Sequence, residues 1–217
     1  MLEAVDFTGT VFQQSIDLSK TVFVGPLKFS TVRVDFEAFF IGSQFDQAVD
    51  FSHVTFGTHS RFHKARFRDR VTFANARFTG VAEFLEVEFQ RAADFSRSTF
   101  AGGTGFSGSV FEGAADFSAI TADHEIYFRF TEFRESVTFT HAQFHKVVDF
   151  TNARFDGVQD FSGVVFLTPP ELTGSNVPPD AVLAQGWRSQ QVRLGIFAGL
   201  GILVLFYLWV SKGKKTA

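Results

Sequence analysis

The stretch ADFSRSTFAGGTGFSGSVFEGAADFS, residues 93–118, decides the fold. Its phenylalanines fall at 95, 100, 106, 111 and 117, so the spacing alternates five and six. The resulting eleven-residue unit reads Ala-Asp-Phe-Ser-x-x-x-Phe-x-x-x, and self-similarity at a fixed period marks a repeat architecture. The series runs back through Phe73, Phe51 and Phe29 to Phe7 and forward through Phe139 and Phe161 to Phe166. Within those limits only Leu18, Val34 and Ala122 interrupt it. With 32 Phe against 2 Trp, 2 Tyr and 1 Met, one packing environment recurs many times.

A second series lies two residues before each Phe. It includes Val49, Val54, Ser60, Ala65, Val71, Ala76, Ala82, Val87, Ala93 and Ser98, all small or β-branched. Two inward positions with an outward one between them is the alternation of a strand. The strand is about three residues long before a polar corner turns the chain. Neither a helical period nor an ordinary long strand fits five-and-six spacing.

The motif small–Asp–Phe–Ser, as in Val49-Asp50-Phe51-Ser52, Ala93-Asp94-Phe95-Ser96 and Ala115-Asp116-Phe117-Ser118, resembles the Phe-centred variant of the pentapeptide-repeat family. The resemblance implies an all-β, right-handed quadrilateral β-helix with four repeats per coil. The extra residue in alternate units stretches the expected coil to about 22 residues and should bulge at two of its four corners. At about 4.8 Å per strand, some seven and a half coils would make a rod roughly 36 Å long. Charge supports that period: at this offset Arg61 lies under Glu83, Lys64 under Glu86 and Arg66 under Glu88. Ala122 should leave the poorest rung unless Ile120 or Ile126 fills it.

Outside the repeat, residues 1–166 give way to a Pro-rich cap and linker, 167–186, and then to 187–217. Leu194 to Val210 carries no charge and is bounded by Arg188, Arg193, Lys212, Lys214 and Lys215, with Trp187, Tyr207 and Trp209 at its flanks. This is the pattern of a single C-terminal transmembrane helix with a basic tail and interfacial aromatics. Gly195 and Gly199 form a small-xxx-small pair, a packing face for helix dimerisation or simply the glycine common in spans. No signal peptide is visible, and Met1 lies just ahead of the first repeat. The expectation is a C-terminally anchored protein of a bacterial plasma membrane or thylakoid, touching lipid through 194–210, with its solenoid on the cytoplasmic side. The open first coil offers a second route to a homodimer.

Net charge is −3 and there is no Cys, so neither nucleic-acid binding nor thiolate chemistry is indicated. Ser and Asp recur with the repeat, whereas a catalytic group is needed once. The Asp before Phe (Asp6, Asp50, Asp94, Asp116, Asp149, Asp160) is expected to bond corner N–H groups. No cofactor, metal site or nucleophile–base pair is expected. The dense basic patch of Arg61, His63, Lys64, Arg66, Arg68 and Arg70 reads as an internally paired face rather than a dock for anionic lipid or an acidic partner. Phe36, Phe39, Tyr127 and Phe130 fall outside the inward series. They mark either a partner surface or local repacking, and Phe39 and Tyr127, 88 residues apart, should share a face. The leading functional expectation is a membrane-anchored, non-catalytic scaffold for an unknown protein partner. A mimic of duplex DNA like the gyrase-protecting members of the family, on the column of Asp50, Asp94, Asp116 and Asp160, is the alternative, and a plain structural spacer is the third.

Overall fold

The computed structural model describes residues 2–178 together with Val182. Thirty strands of two or three residues form four parallel sheets of eight, eight, seven and seven strands. Paired positions are 22 residues apart along the ladders, as in Phe67↔Phe89, Val71↔Ala93 and Phe78↔Phe100. The chain is a right-handed-type solenoid of about seven coils. Face I runs from β1 (Val5–Asp6) to β29 (Gln159–Asp160), and face II from β2 (Val11–Phe12) to β30 (Val165–Phe166). Face III runs from β3 (Ile16–Asp17) to β27 (Val148–Asp149), and face IV from β4 (Val22–Phe23) to β28 (Arg154–Phe155).

The five-and-six alternation maps onto two kinds of corner. Between faces I and II, and between III and IV, the corner is tight. Its third residue, two past the Phe, has positive φ at every eleventh position from Gly9 (72°) to Gly174 (71°). The N–H of Val54 donates to the Phe51 carbonyl across one such corner, with His53 at φ 55°, which is the geometry of a type II turn. At the other two corners the six-residue spacing takes up the additional residue, and the left-handed series skips them. Some wide corners require glycine for a different reason: a Cβ on Gly80 would overlap the Thr58 carbonyl one coil below.

The interior is the Phe ladder. Phe40, Phe62, Phe84, Phe106, Phe128 and Phe150 form one stack, with centroids 4.8 Å apart for Phe62–Phe84 and rings within 5° of parallel. Neighbouring stacks meet edge to face, as at Phe84–Phe95, 5.3 Å and 88°. Offset-stacked and T-shaped contacts are the two arrangements the ring quadrupole favours. At Ala122, Ile120 and Ile126 are both fully buried where most other coils carry Val, Ala, Ser or Thr, so branched aliphatics replace the missing ring.

Small buried hydroxyls tie the tight corners together. Ser98 Oγ donates to the Phe73 carbonyl (2.6 Å) and accepts from the Ala76 N–H (3.2 Å), one coil below. Thr131 donates likewise to the Phe106 carbonyl (2.9 Å) and Ser43 to that of Leu18 (2.6 Å).

The coil path does not stop at Phe166, where the sequence reading ends the pattern. Leu172 and Val177 continue the five-and-six series as aliphatics, Leu172 packed against the core and Val177 buried. Gly174 repeats the left-handed corner, and Glu171 bridges Asp149 as the next rung. The Asn176 side chain accepts from the Phe155 N–H (2.8 Å) and donates to its carbonyl (2.9 Å), capping face IV. The expected linker therefore begins as a further part-coil. Among the described residues no helix is long and apolar enough to cross a membrane. The helix expected over 194–210, with Gly195 and Gly199, lies outside them.

Candidate functional site

Strand pairing sorts the outward side chains into columns. On face III one column reads Asp17, Phe39, Arg61, Glu83, Gly105, Tyr127 and Asp149. Phe39 and Tyr127 thus share a column as well as a face. Phe36 lies at the corner entering face III and Phe130 at the corner leaving it, 49% and 62% exposed. The structure therefore brings all four off-series aromatics to one side of the rod.

Two of them are built into the same small device. The Arg61 guanidinium sits over the Phe39 ring (5.4 Å), and its Nε donates to Glu83 (3.0 Å). Four coils above Phe39, Arg129 sits over Tyr127 (4.8 Å) and donates to Asp149 (2.5 Å). An arginine clamped between a ring face and a carboxylate has little freedom left, so each unit is a rigid amphipathic plate. Asp149 is nearly buried. Burial pushes its carboxyl upward, but the hydrogen bonds from Thr151 and Arg129 outweigh this and hold it below the usual range. Arg129 escaped the sequence reading, although rows of 22 residues would have set it beside Tyr127.

The basic patch is neutralised locally. Lys64 lies 3.6 Å from Glu86, Arg66 3.1 Å from Glu88 and Arg68 3.1 Å from Asp46. His63 Nε2 lies 3.2 Å from the Glu83 carboxylate that Arg61 holds, without a hydrogen bond to it. Arg70 makes no ion pair among the described residues. The patch is thus a lattice of cross-coil pairs, leaving little net positive field.

Face I carries the acidic column. Asp50, Asp94, Asp116 and Asp160 each accept the N–H two residues on, at 2.7–2.8 Å, which closes the tight corner. Asp6 and Asp17 do the same for Thr8 and Ser19 at 2.9 Å. The Ser162 hydrogen bonds hold the Asp160 carboxyl below the usual range, as those of Thr8 and Ser19 do for Asp6 and Asp17. Lys28, Thr72 and Thr138 interrupt the column. Among the described residues no group of three or more His, Cys, Asp or Glu could hold a metal ion.

The profile of a family described as pentapeptide repeats (9 copies) matches residues 7–55, 40–88 and 73–121, together just over half of the chain. No curated protein matches the chain.

Proposed function

The chain belongs to the pentapeptide-repeat family, and from that premise we propose a non-catalytic scaffold that presents face III to a protein partner while a C-terminal helix holds it at a membrane. The observation that carries this reading is the gathering of Phe36, Phe39, Tyr127 and Phe130 on one side of a rod whose other exposed large apolar side chains, such as Val11, Val158, Val165 and Leu167, are aliphatic. Aromatic side chains with an arginine beside them are the residue types enriched at the energetic centres of protein interfaces. Among the described residues the interior is filled by stacked, buried Phe rather than by the polar groups that orient a substrate. The anchor rests on the uncharged run 194–210 and its basic and aromatic flanks.

Protease digestion of sealed, oriented vesicles bearing the full chain, with an epitope at residue 2, tests the anchor. Cleavage from the cytoplasmic side alone fits the proposal, and recovery in the aqueous fraction without detergent overturns it. A photo-crosslinking residue at Phe39 or Tyr127, against a control at Thr72 on face I, tests the presented face. Partner adducts at the first two positions and none at Thr72 are expected. Adducts at Thr72 alone would transfer the partner to face I. The DNA-mimic reading has one observation in its favour, the direct adjacency of Asp94 and Asp116 on that face. It is weakened because both carboxylates are already engaged in closing their own corners.

A further inference from the structure

Charge leaves the wide corners as the rod climbs. The corner between faces II and III reads Asp123-His124-Glu125, then His145-Lys146-Val147 one coil up, then Leu167-Thr168-Pro169. The corner between faces IV and I reads Arg134-Glu135-Ser136, then Asp156-Gly157-Val158. On face II, Val165 stands on Gln143, and Gln143 on Thr121. At the top of the rod, outward aliphatics thus replace polar side chains, and Val158 and Leu167 are 75% and 60% exposed.

The two corners that carry them are diagonally opposite. Val158 lies between faces IV and I, and Leu167 between faces II and III. No flat surface laid along one side of the rod touches both. A flat surface across the upper end touches both and takes in Val165 as well. The chain indicates which surface that is, because it leaves the rod at this end. Leu194, the first residue of the uncharged run, follows Val182 by twelve residues. The lower end also exposes Leu2 and Val11, but at the far end of the rod from that run.

Resting on the reading of residues 194–210 as a membrane anchor, we propose that the rod stands end-on on the bilayer. The collar of Val158, Val165 and Leu167 is seated at the boundary between headgroups and acyl chains, which takes up exposed apolar side chains. Charge does not drive the contact. Between His145 and Pro178, Lys146 and Arg154 are outnumbered by Asp149, Asp156, Asp160 and Glu171, so anionic lipid adds no attraction. The posture sets heights on face III. Tyr127 lies two coils below the Glu171 rung and Phe39 six, about 10 Å and about 29 Å at the strand spacing. A partner on that face is therefore held at a fixed distance from the lipid.

The chain has no Cys, so single labels can be placed without background. Leu167→Cys and Val158→Cys, each carrying an environment-sensitive fluorophore, are compared with Thr72→Cys on the full chain. The vesicles are phosphatidylcholine, with and without quencher-bearing acyl chains. Both collar labels should be quenched about threefold more than the Thr72 label, and added phosphatidylserine should change nothing. Leu167→Asp should about halve the quenching at Val158, because the collar holds the end down. Quenching at Leu167 alone would lay the rod on one corner and overturn the end-on posture. Quenching at Val158 that ignores Leu167→Asp would credit the linker instead of the collar and overturn its role. Absence of lipid quenching at both labels would also overturn the proposal, and aqueous iodide would then show whether residues 183–193 cover the collar. In these three results the protein still floats with the vesicles, so the anchor reading survives. Failure to float would overturn the anchor and the posture together.

Discussion

Ser60 sits in an inward column between Ala38 and Ala82, fully buried, and its hydroxyl has no hydrogen-bond partner. Ser98 and Ser109 escape this cost because they follow a tight corner, where a Phe carbonyl one coil below is within reach. Ser60 follows a wide corner and has no such acceptor. Removing an unsatisfied buried hydroxyl relieves its desolvation cost, so Ser60→Ala should stabilise the rod by about 1 kcal/mol. Urea unfolding of the variant checks this, and a loss of stability would mean the hydroxyl has found an acceptor. The glycines separate equally sharply. Gly80→Ala drives a Cβ into the Thr58 carbonyl and should cost about 1–3 kcal/mol. Gly103→Ala, with open space around it, should be close to neutral in the same experiment.

At the scale of the corner element, carboxylates do repeated work. Asp6, Asp17, Asp149 and Asp160 are all held below the ordinary value of 3.8 in the folded chain. A depressed folded value means the unfolded chain binds protons first as acid is added. Their stabilisation is therefore complete well above pH 3.8 and is lost as pH falls through that value toward the lower folded ones. Melting temperature should hold steady from neutrality to about pH 5 and then drop toward pH 2. Asp149→Asn should remove part of that drop, and an unchanged acid profile would show that its corner does not depend on the charge. The cross-coil pairs of the basic patch differ in kind. Lys64 and Glu86 are exposed enough that a double-mutant cycle should give only about 0.2–1 kcal/mol.

Across the whole molecule, each coil touches chiefly the coils above and below, so stability is close to one-dimensional and the ends are the weak points. The upper end is closed by Leu172, Val177 and the Asn176 cap. Leu172→Asp should open that end first. Hydrogen exchange would report lost protection at β27 and β28, while β12 (Arg66–Phe67) and β16 (Glu88–Phe89) stay protected. A uniform loss along the rod would instead indicate all-or-none cooperativity. The lower end differs, since Phe7 and Phe12 are only partly buried and Leu2 supplies a single bridge to Phe23.

The sequence by itself determined the repeat and the Phe interior, its resemblance to the pentapeptide family implied the solenoid, and the opposite charges of Arg61, Lys64 and Arg66 against Glu83, Glu86 and Glu88 set the coil at 22 residues, because a fixed period converts sequence distance directly into vertical distance. It also placed Phe39 and Tyr127 on one face, 88 residues being four coils. Tertiary structure decided what period cannot encode, namely the left-handed backbone at each tight corner and how side chains lean sideways between columns. The left-handed series at every eleventh residue is invisible in composition, since Lys, Glu, His, Asn, Arg and Phe all occupy it alongside Gly. The continuation through Leu172 and Val177 was hidden because aliphatics replace the ring and prolines interrupt the motif, although the backbone path is unchanged. The convergence of Phe36 and Phe130 on one side depended on corner geometry: each lies between strands, Phe36 just before Glu37 and Phe130 three residues past Tyr127, and only the turn of the chain there sets which face its side chain borders.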